Sequence, residues 1–206
     1  MKNPLHYQLS EYDCGPTTML NAISFLFERE EISPVLIRNV MLYCLDCYNE
    51  EGIMGKRGTS TAAMMFLCNW LNGFGKIGHL PISGTYLSGE RVWIGEDSLI
   101  WDALCRGGAV VVRLYYECPH YVLLTGIKDR KILMFDPYYE EEVMEESGVI
   151  SVKDQPFSHN KIVDQRCFNR ETMELYALGP VDGREAVILF NENTRQTPEK
   201  TIEYFI

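Results

Sequence analysis

The sequence lacks any run of about 18 apolar residues, the length a bilayer-crossing helix requires. Its opening stretch, Met-Lys-Asn-Pro-Leu-His-Tyr-Gln, also lacks the apolar centre of a signal peptide. Both absences argue against membrane insertion and for a cytoplasmic location. Basic charge is scarce: 19 Lys and Arg stand against 29 Asp and Glu, a formal charge of -10. Such a surface repels phosphate backbones, so nucleic acid is not an expected partner, whereas a neutral or basic peptide is favoured. Internal repeats, low-complexity tracts and linker-like stretches are missing too. A length of 206 residues with 46% hydrophobic and 23% charged side chains suits one core, and a single domain over 1–206 is expected. The seven cysteines, at 14, 44, 47, 68, 105, 118 and 167, are odd in number and widely spaced, unlike a secreted disulfide framework. Most are expected to be reduced thiols packed as small apolar groups.

What is present first is helical periodicity. Met19, Ala22, Ile23, Leu26 and Phe27 recur at helical spacing and predict a helix over 14–28, with Asp13 as N-cap and Pro16 tolerated in the first turn. Ser33-Pro34 opens a second helix, whose stripe of Ile37, Val40, Met41 and Cys44 puts that cysteine on the buried face. A third is predicted from about Ser60 to Leu71, with Ala63, Phe66, Leu67 and Trp70 on one side and Asn72-Gly73 as its stop. Residues 74–95, rich in glycine, read as loop with at most one short strand, ahead of a short helix from about Asp97 to Arg106. Then the period changes. Ala109–Tyr116, Tyr121–Ile127 and Lys131–Phe135 are rich in Val, Leu, Ile and Tyr and are separated by Glu-Cys-Pro and Lys-Asp-Arg, so they read as consecutive antiparallel strands. From the acidic run Glu140–Glu146 to about Asn169 no pattern is assignable, and a last strand is expected at Glu185–Phe190. Helices first and strands afterwards define an α+β fold, with N-terminal helices packed on a C-terminal antiparallel sheet.

That layout places Cys14 at a helix N-terminus, where unpaired N–H groups and the positive end of the dipole favour the nucleophilic thiolate. Gln8 offers a side-chain amide to the oxyanion of a tetrahedral intermediate, provided it folds back over the thiol. His120 opens one predicted strand and Asp136 ends the next, so an antiparallel hairpin makes them neighbours. The imidazole would take the thiol proton and the carboxylate would orient the ring. Each residue alone has an ordinary explanation: a free cysteine is usually core filler, a strand histidine a packed or surface group, Asp136-Pro137 a turn opener and Gln8 a solvated side chain. Cys44-Leu-Asp-Cys47 is a CxxC, but one pair falls short of the four ligands of structural zinc, and neither a metal nor another cofactor is expected. Cys118 reads as a buried thiol or, functionally, as a resolving thiol near the site. His6, His79 and His159 have no partners nearby in sequence and read as surface groups. Tyr115, Tyr116, Tyr138 and Tyr139 read either as strand formers or as walls of a substrate cleft. The acidic run from Glu140 reads as a solvated face or as an attractor for a basic peptide.

Order and context say more than any single residue. Gln8-Leu-Ser-Glu-Tyr-Asp13-Cys14-Gly15-Pro16 ahead of an amphipathic helix, then His120-Tyr-Val-Leu-Leu-Thr-Gly126-Ile and Lys131-Ile-Leu-Met-Phe-Asp136-Pro137, together resemble the motifs of the C39 cysteine peptidases. The resemblance runs from residue 8 to residue 137, about two thirds of the chain. It implies a papain-like fold and a peptide or protein substrate, with Cys14 as nucleophile, His120 as general base and acid, Asp136 as its orienting partner and Gln8 as oxyanion donor. Family members are best known as transporter domains that cut a leader peptide after a double glycine. This sequence carries neither a membrane region nor an ATPase, so leader specificity is not carried over, and association with a separate transporter stays open. The oligomeric state and the role of residues 138–206 are open as well. Transferases and amidases use the same triad and acyl-enzyme, and relatives that lost the nucleophile act only as binding modules. All three triad residues are present here, which favours retained chemistry.

Overall fold

The computed structural model describes residues 1–140 and 147–197, so the predicted acidic face beyond Glu140 lies outside the described residues. Three helices start where a serine hydroxyl satisfies an otherwise unpaired N–H. Ser33 accepts from Leu36, Ser60 from Ala63 and Ser98 from Trp101, and α2 (Pro34–Cys44), α3 (Thr61–Lys76) and α4 (Leu99–Cys105) follow. The first, α1 (Cys14–Leu26), has Asp13 at its cap position, but the Asp13 side chain makes no cap hydrogen bond to the helix. It ends short of the predicted residue 28. The Lys2 ammonium and the Asn191 amide take the carbonyls of Phe25 and Leu26, and Phe27 is already extended, though fully buried.

Two helical stripes differ from expectation. In α2 the buried line is Leu36, Val40 and Cys44, while Ile37 and Met41 stay partly exposed because the helix meets its neighbours along a single i, i+4 row. In α3 the predicted stop at Asn72-Gly73 is overridden. The Asn72 amide pairs with both backbone groups of Gly84, and a Cβ on Gly75 would sit 2.0 Å from the Ile82 carbonyl oxygen, so packing against the next strand carries the helix on to Lys76. Phe66, expected inward, is partly exposed and stacks edge-on with Tyr43 of α2 at 4.9 Å.

The strands are β1 (Ile82–Ser88), β2 (Ala109–Tyr116), β3 (Cys118–Lys128), β4 (Lys131–Phe135), β5 (Val149–Ser151), β6 (Lys161–Asp164) and β7 (Glu185–Asn191). They form one seven-stranded sheet in the order β1-β7-β2-β3-β4-β6-β5, with every pairing antiparallel. The fold is therefore α+β. Helices and strands are less segregated than expected, since β1 precedes α4 and the last strand inserts between β1 and β2. The predicted Glu-Cys-Pro turn contracts to Glu117 alone, at φ 56, so Cys118 and Pro119 belong to β3 opposite Tyr116 and Tyr115. Asp129 and Arg130, at φ 50 and 61, close the next hairpin as a two-residue turn with both centres left-handed.

Alternation along the strands sorts the buried side chains into two clusters. One joins α1, α2 and α3 to Val111, Tyr121, Leu123, Phe135 and Val187; the other joins α4 to Val112, Leu114, Val122, Met134 and Ile188, closed by Phe168, Tyr176 and Leu178. Both sheet faces are thus covered, and β7 is buried along its whole length. No helix among the described residues is long and apolar enough to cross a membrane.

Candidate active site

Cys14 is the first residue of α1 and is 8% exposed. The loop before it is tied down by Asp13, whose carboxylate accepts from the Leu9 and Ser10 backbone N–H groups and from the Ser10 and Thr17 hydroxyls. Burial pushes this carboxyl up, but the donors, Ser10 foremost, outweigh it and hold Asp13 below the usual carboxylate range. Gly15 is required by close approach: a Cβ there would lie 2.1 Å from the Thr59 hydroxyl oxygen. One turn into the helix, the Thr18 hydroxyl donates to the Tyr121 carbonyl at 3.0 Å. This bond fastens α1 to β3 beside the residue that follows His120, and so brings thiol and imidazole together.

His120, 6% exposed, sits in β3 with Nε2 2.8 Å from Oδ1 of Asp136, which is 1% exposed. The register Leu123↔Phe135, extended by one step, sets Asp136 diagonal to His120 on the same face, within reach of an imidazole. With Nε2 engaged by Asp136, Nδ1 is the nitrogen left for the Cys14 thiol. Burial pushes the imidazole down, yet hydrogen bonding to Asp136 and to Cys14 more than offsets it, and the ring is raised to about 10. The direction of that shift favours the protonated ring. The Tyr116 ring lies 5.8 Å from the imidazole and passes its hydroxyl to Glu140.

Gln8 comes to the same corner, because its backbone N–H donates to the Pro137 carbonyl at 2.8 Å. Its amide nitrogen donates to the Ser10 carbonyl, leaving one N–H for an oxyanion, and its amide oxygen is buried without a partner. Tyr138 and Tyr139 separate two hollows beside this corner. One, of about 260 Å3, is lined by Gln8, Leu9, Ser10 and Glu11; the other, also about 260 Å3, by Tyr7, Glu140, Lys153, Asn160 and Lys161. Tyr116 and Tyr138 pack ring to ring at 5.2 Å, whereas Tyr115 points elsewhere, against Gly179.

The remaining candidates separate cleanly. Cys44 is fully buried and burial pushes its thiol far up, while Cys47 is half-buried; both are free. Among the described residues no group of three His, Cys, Asp or Glu side chains could hold a metal ion. Cys118 is exposed rather than buried, as is Cys105, because the tight turn at Glu117 leaves the start of β3 at the surface. His6 and His79 are exposed and His159 is half-buried.

Three buried polar residues near the site escape the reading of the sequence. Asn160 accepts from the Asp136 backbone N–H and donates to its carbonyl, both at 2.8 Å, and the Tyr176 hydroxyl donates to Asp136 Oδ2 at 2.9 Å. Glu185, 2% exposed, accepts from the hydroxyls of Tyr121, Tyr86 and Thr61 and lies 3.7 Å from Arg113. A charged residue opening the otherwise apolar run of β7 was the one available hint. No protein-family model matches the chain, and no curated protein matches it either.

Proposed function

We propose that this chain is a papain-like cysteine peptidase, resembling the C39 family, which hydrolyses a peptide bond through Cys14, His120 and Asp136. The observation that carries the reading is the buried Nε2 to Oδ1 contact of 2.8 Å between His120 and Asp136, with Cys14 beside the same ring at a helix N-terminus. The imidazolium holds the thiolate and is the acid that the departing amine needs. The Cys14 sulfur attacks the carbonyl carbon, and the spare N–H of Gln8 with nearby backbone N–H groups receives the oxyanion. His120 protonates the leaving amine, then takes a proton from the water that hydrolyses the thioester. The acidic surface and the open hollow beside Gln8 favour a neutral or basic peptide or protein, handled by a cytoplasmic single-domain enzyme.

The test is alkylation by iodoacetamide near pH 6, with the labelled cysteine located by peptide mass spectrometry. Cys14 is expected to react first among the seven cysteines, and His120→Ala to slow it about 100-fold. Slow, equal labelling of several cysteines in both proteins would favour a non-catalytic binding module instead.

A further inference from the structure

We infer that Tyr176 and Asn160 are positioning residues of this same active site, fixing the Asp136 carboxyl group in the orientation that holds His120 against Cys14. The inference rests on the proposed thiol chemistry, and it draws the chain beyond Asp136 into the machinery rather than leaving it as an appendage.

Every polar group of Asp136 is engaged. Oδ1 receives His120 Nε2 at 2.8 Å and the Tyr138 backbone N–H at 2.9 Å; Oδ2 receives the Tyr176 hydroxyl at 2.9 Å. The Asn160 amide closes on both backbone groups of the same residue, as a neighbouring strand would. A carboxyl held at both oxygens and at its own backbone cannot swing away from the imidazole, which is what an orienting acid requires.

Core filling accounts for the Tyr176 ring but not for its hydroxyl. Phenylalanine would occupy the same space among Phe168, Leu178 and Leu114 without needing an acceptor. The backbone makes the same point. Tyr176 adopts φ +59, a conformation bulky residues rarely take, and is kept there by paired bonds between Tyr115 and residues 176 and 177. The strained residue is the one that aims a hydroxyl at Asp136. The groups with charge or a titratable proton that surround His120 are Cys14, Asp136, Tyr116 and Tyr176, with Glu140 behind Tyr116.

The chain has only four histidines, so ring signals of histidine-labelled protein can be followed by NMR against pH and assigned with His120→Ala. In Tyr176→Phe, His120 is expected to release its proton about one pH unit lower than in the parent, and Cys14 alkylation at pH 6 to fall about tenfold. Tyr86→Phe, the same deletion at the buried carboxylate of Glu185, should leave both unchanged. A parent-like His120 in folded Tyr176→Phe overturns the inference while the thiol reading stands. A parent His120 that titrates near 6.5, with Cys14 no faster than its fellows, fails the reading itself and the inference with it. Should Tyr176→Phe melt at low temperature, Asn160→Ala addresses the same carboxyl from the backbone side and carries the same expectation.

Discussion

Asp136, 1% exposed, and Glu185, 2% exposed, are carboxylates buried in one sheet, and neighbouring residues of β3 reach them: His120 for the first, Tyr121 for the second. Successive side chains of a strand point to opposite faces, so one step along β3 separates the two environments. Around Asp136 one donor is an imidazole, which exchanges its proton in an accessible pH range and touches a thiol. Around Glu185 the donors are the phenols of Tyr121 and Tyr86, whose protons burial and Glu185 itself lock in place, beside an arginine that never titrates. Burial alone therefore does not distinguish the two carboxylates. The proton affinity of their partners does.

Breaking the Glu185 side should give the largest loss of stability. Glu185→Ala leaves the hydroxyls of Tyr121, Tyr86 and Thr61 and a nearby arginine without their acceptor, and is expected to cost about 3 kcal/mol or more in denaturant unfolding. Cys14 alkylation per folded molecule should not change. On the other side, Asp136→Asn keeps size and shape but removes the charge facing the imidazole. Alkylation at pH 6 is expected to drop about tenfold, because the ring loses the charge that orients it towards Cys14, with a smaller loss of stability.

The comparison also has a pH signature. The His120 proton affinity is raised from 6.5 to about 10 in the folded protein, so the stabilisation it supplies is complete below about pH 6.5 and is lost as pH climbs through about 10. Melting temperature should fall over that window in the parent and stay flatter in His120→Gln. The smallest effect belongs to Cys44→Ala. It removes a fully buried thiol whose proton burial locks on, and should cost about 1 kcal/mol and leave Cys14 alkylation as it was.

Local chemistry was legible in the sequence. Ser33-Pro34 and Ser60 mark their helix starts because a cap acts within three residues, and His120 and Asp136 were paired because a hairpin makes sequence neighbours into spatial ones. What failed to show depends on distant partners. Asn72 and Gly75 look like a helix stop until β1 packs on them. β5 and β6 are only three and four residues long and exist through their pairing with each other and with β4. Asn160 and Tyr176 lie 24 and 40 residues from Asp136 with no periodicity linking them. The Gln8 backbone is tied to Pro137 and its amide to the Ser10 carbonyl, loop details that spacing does not encode.

The placing of β7 between β1 and β2 has a consequence for how the protein comes into being. A ribosome releases α1 before β7, and the gap in the sheet stays open until residues 185–191 have emerged. Until then the nascent chain presents two unpaired apolar strand edges, the surfaces on which incomplete chains stick to one another. A translation product cut short before Glu185 is thus expected to be captured by chaperones or precipitate.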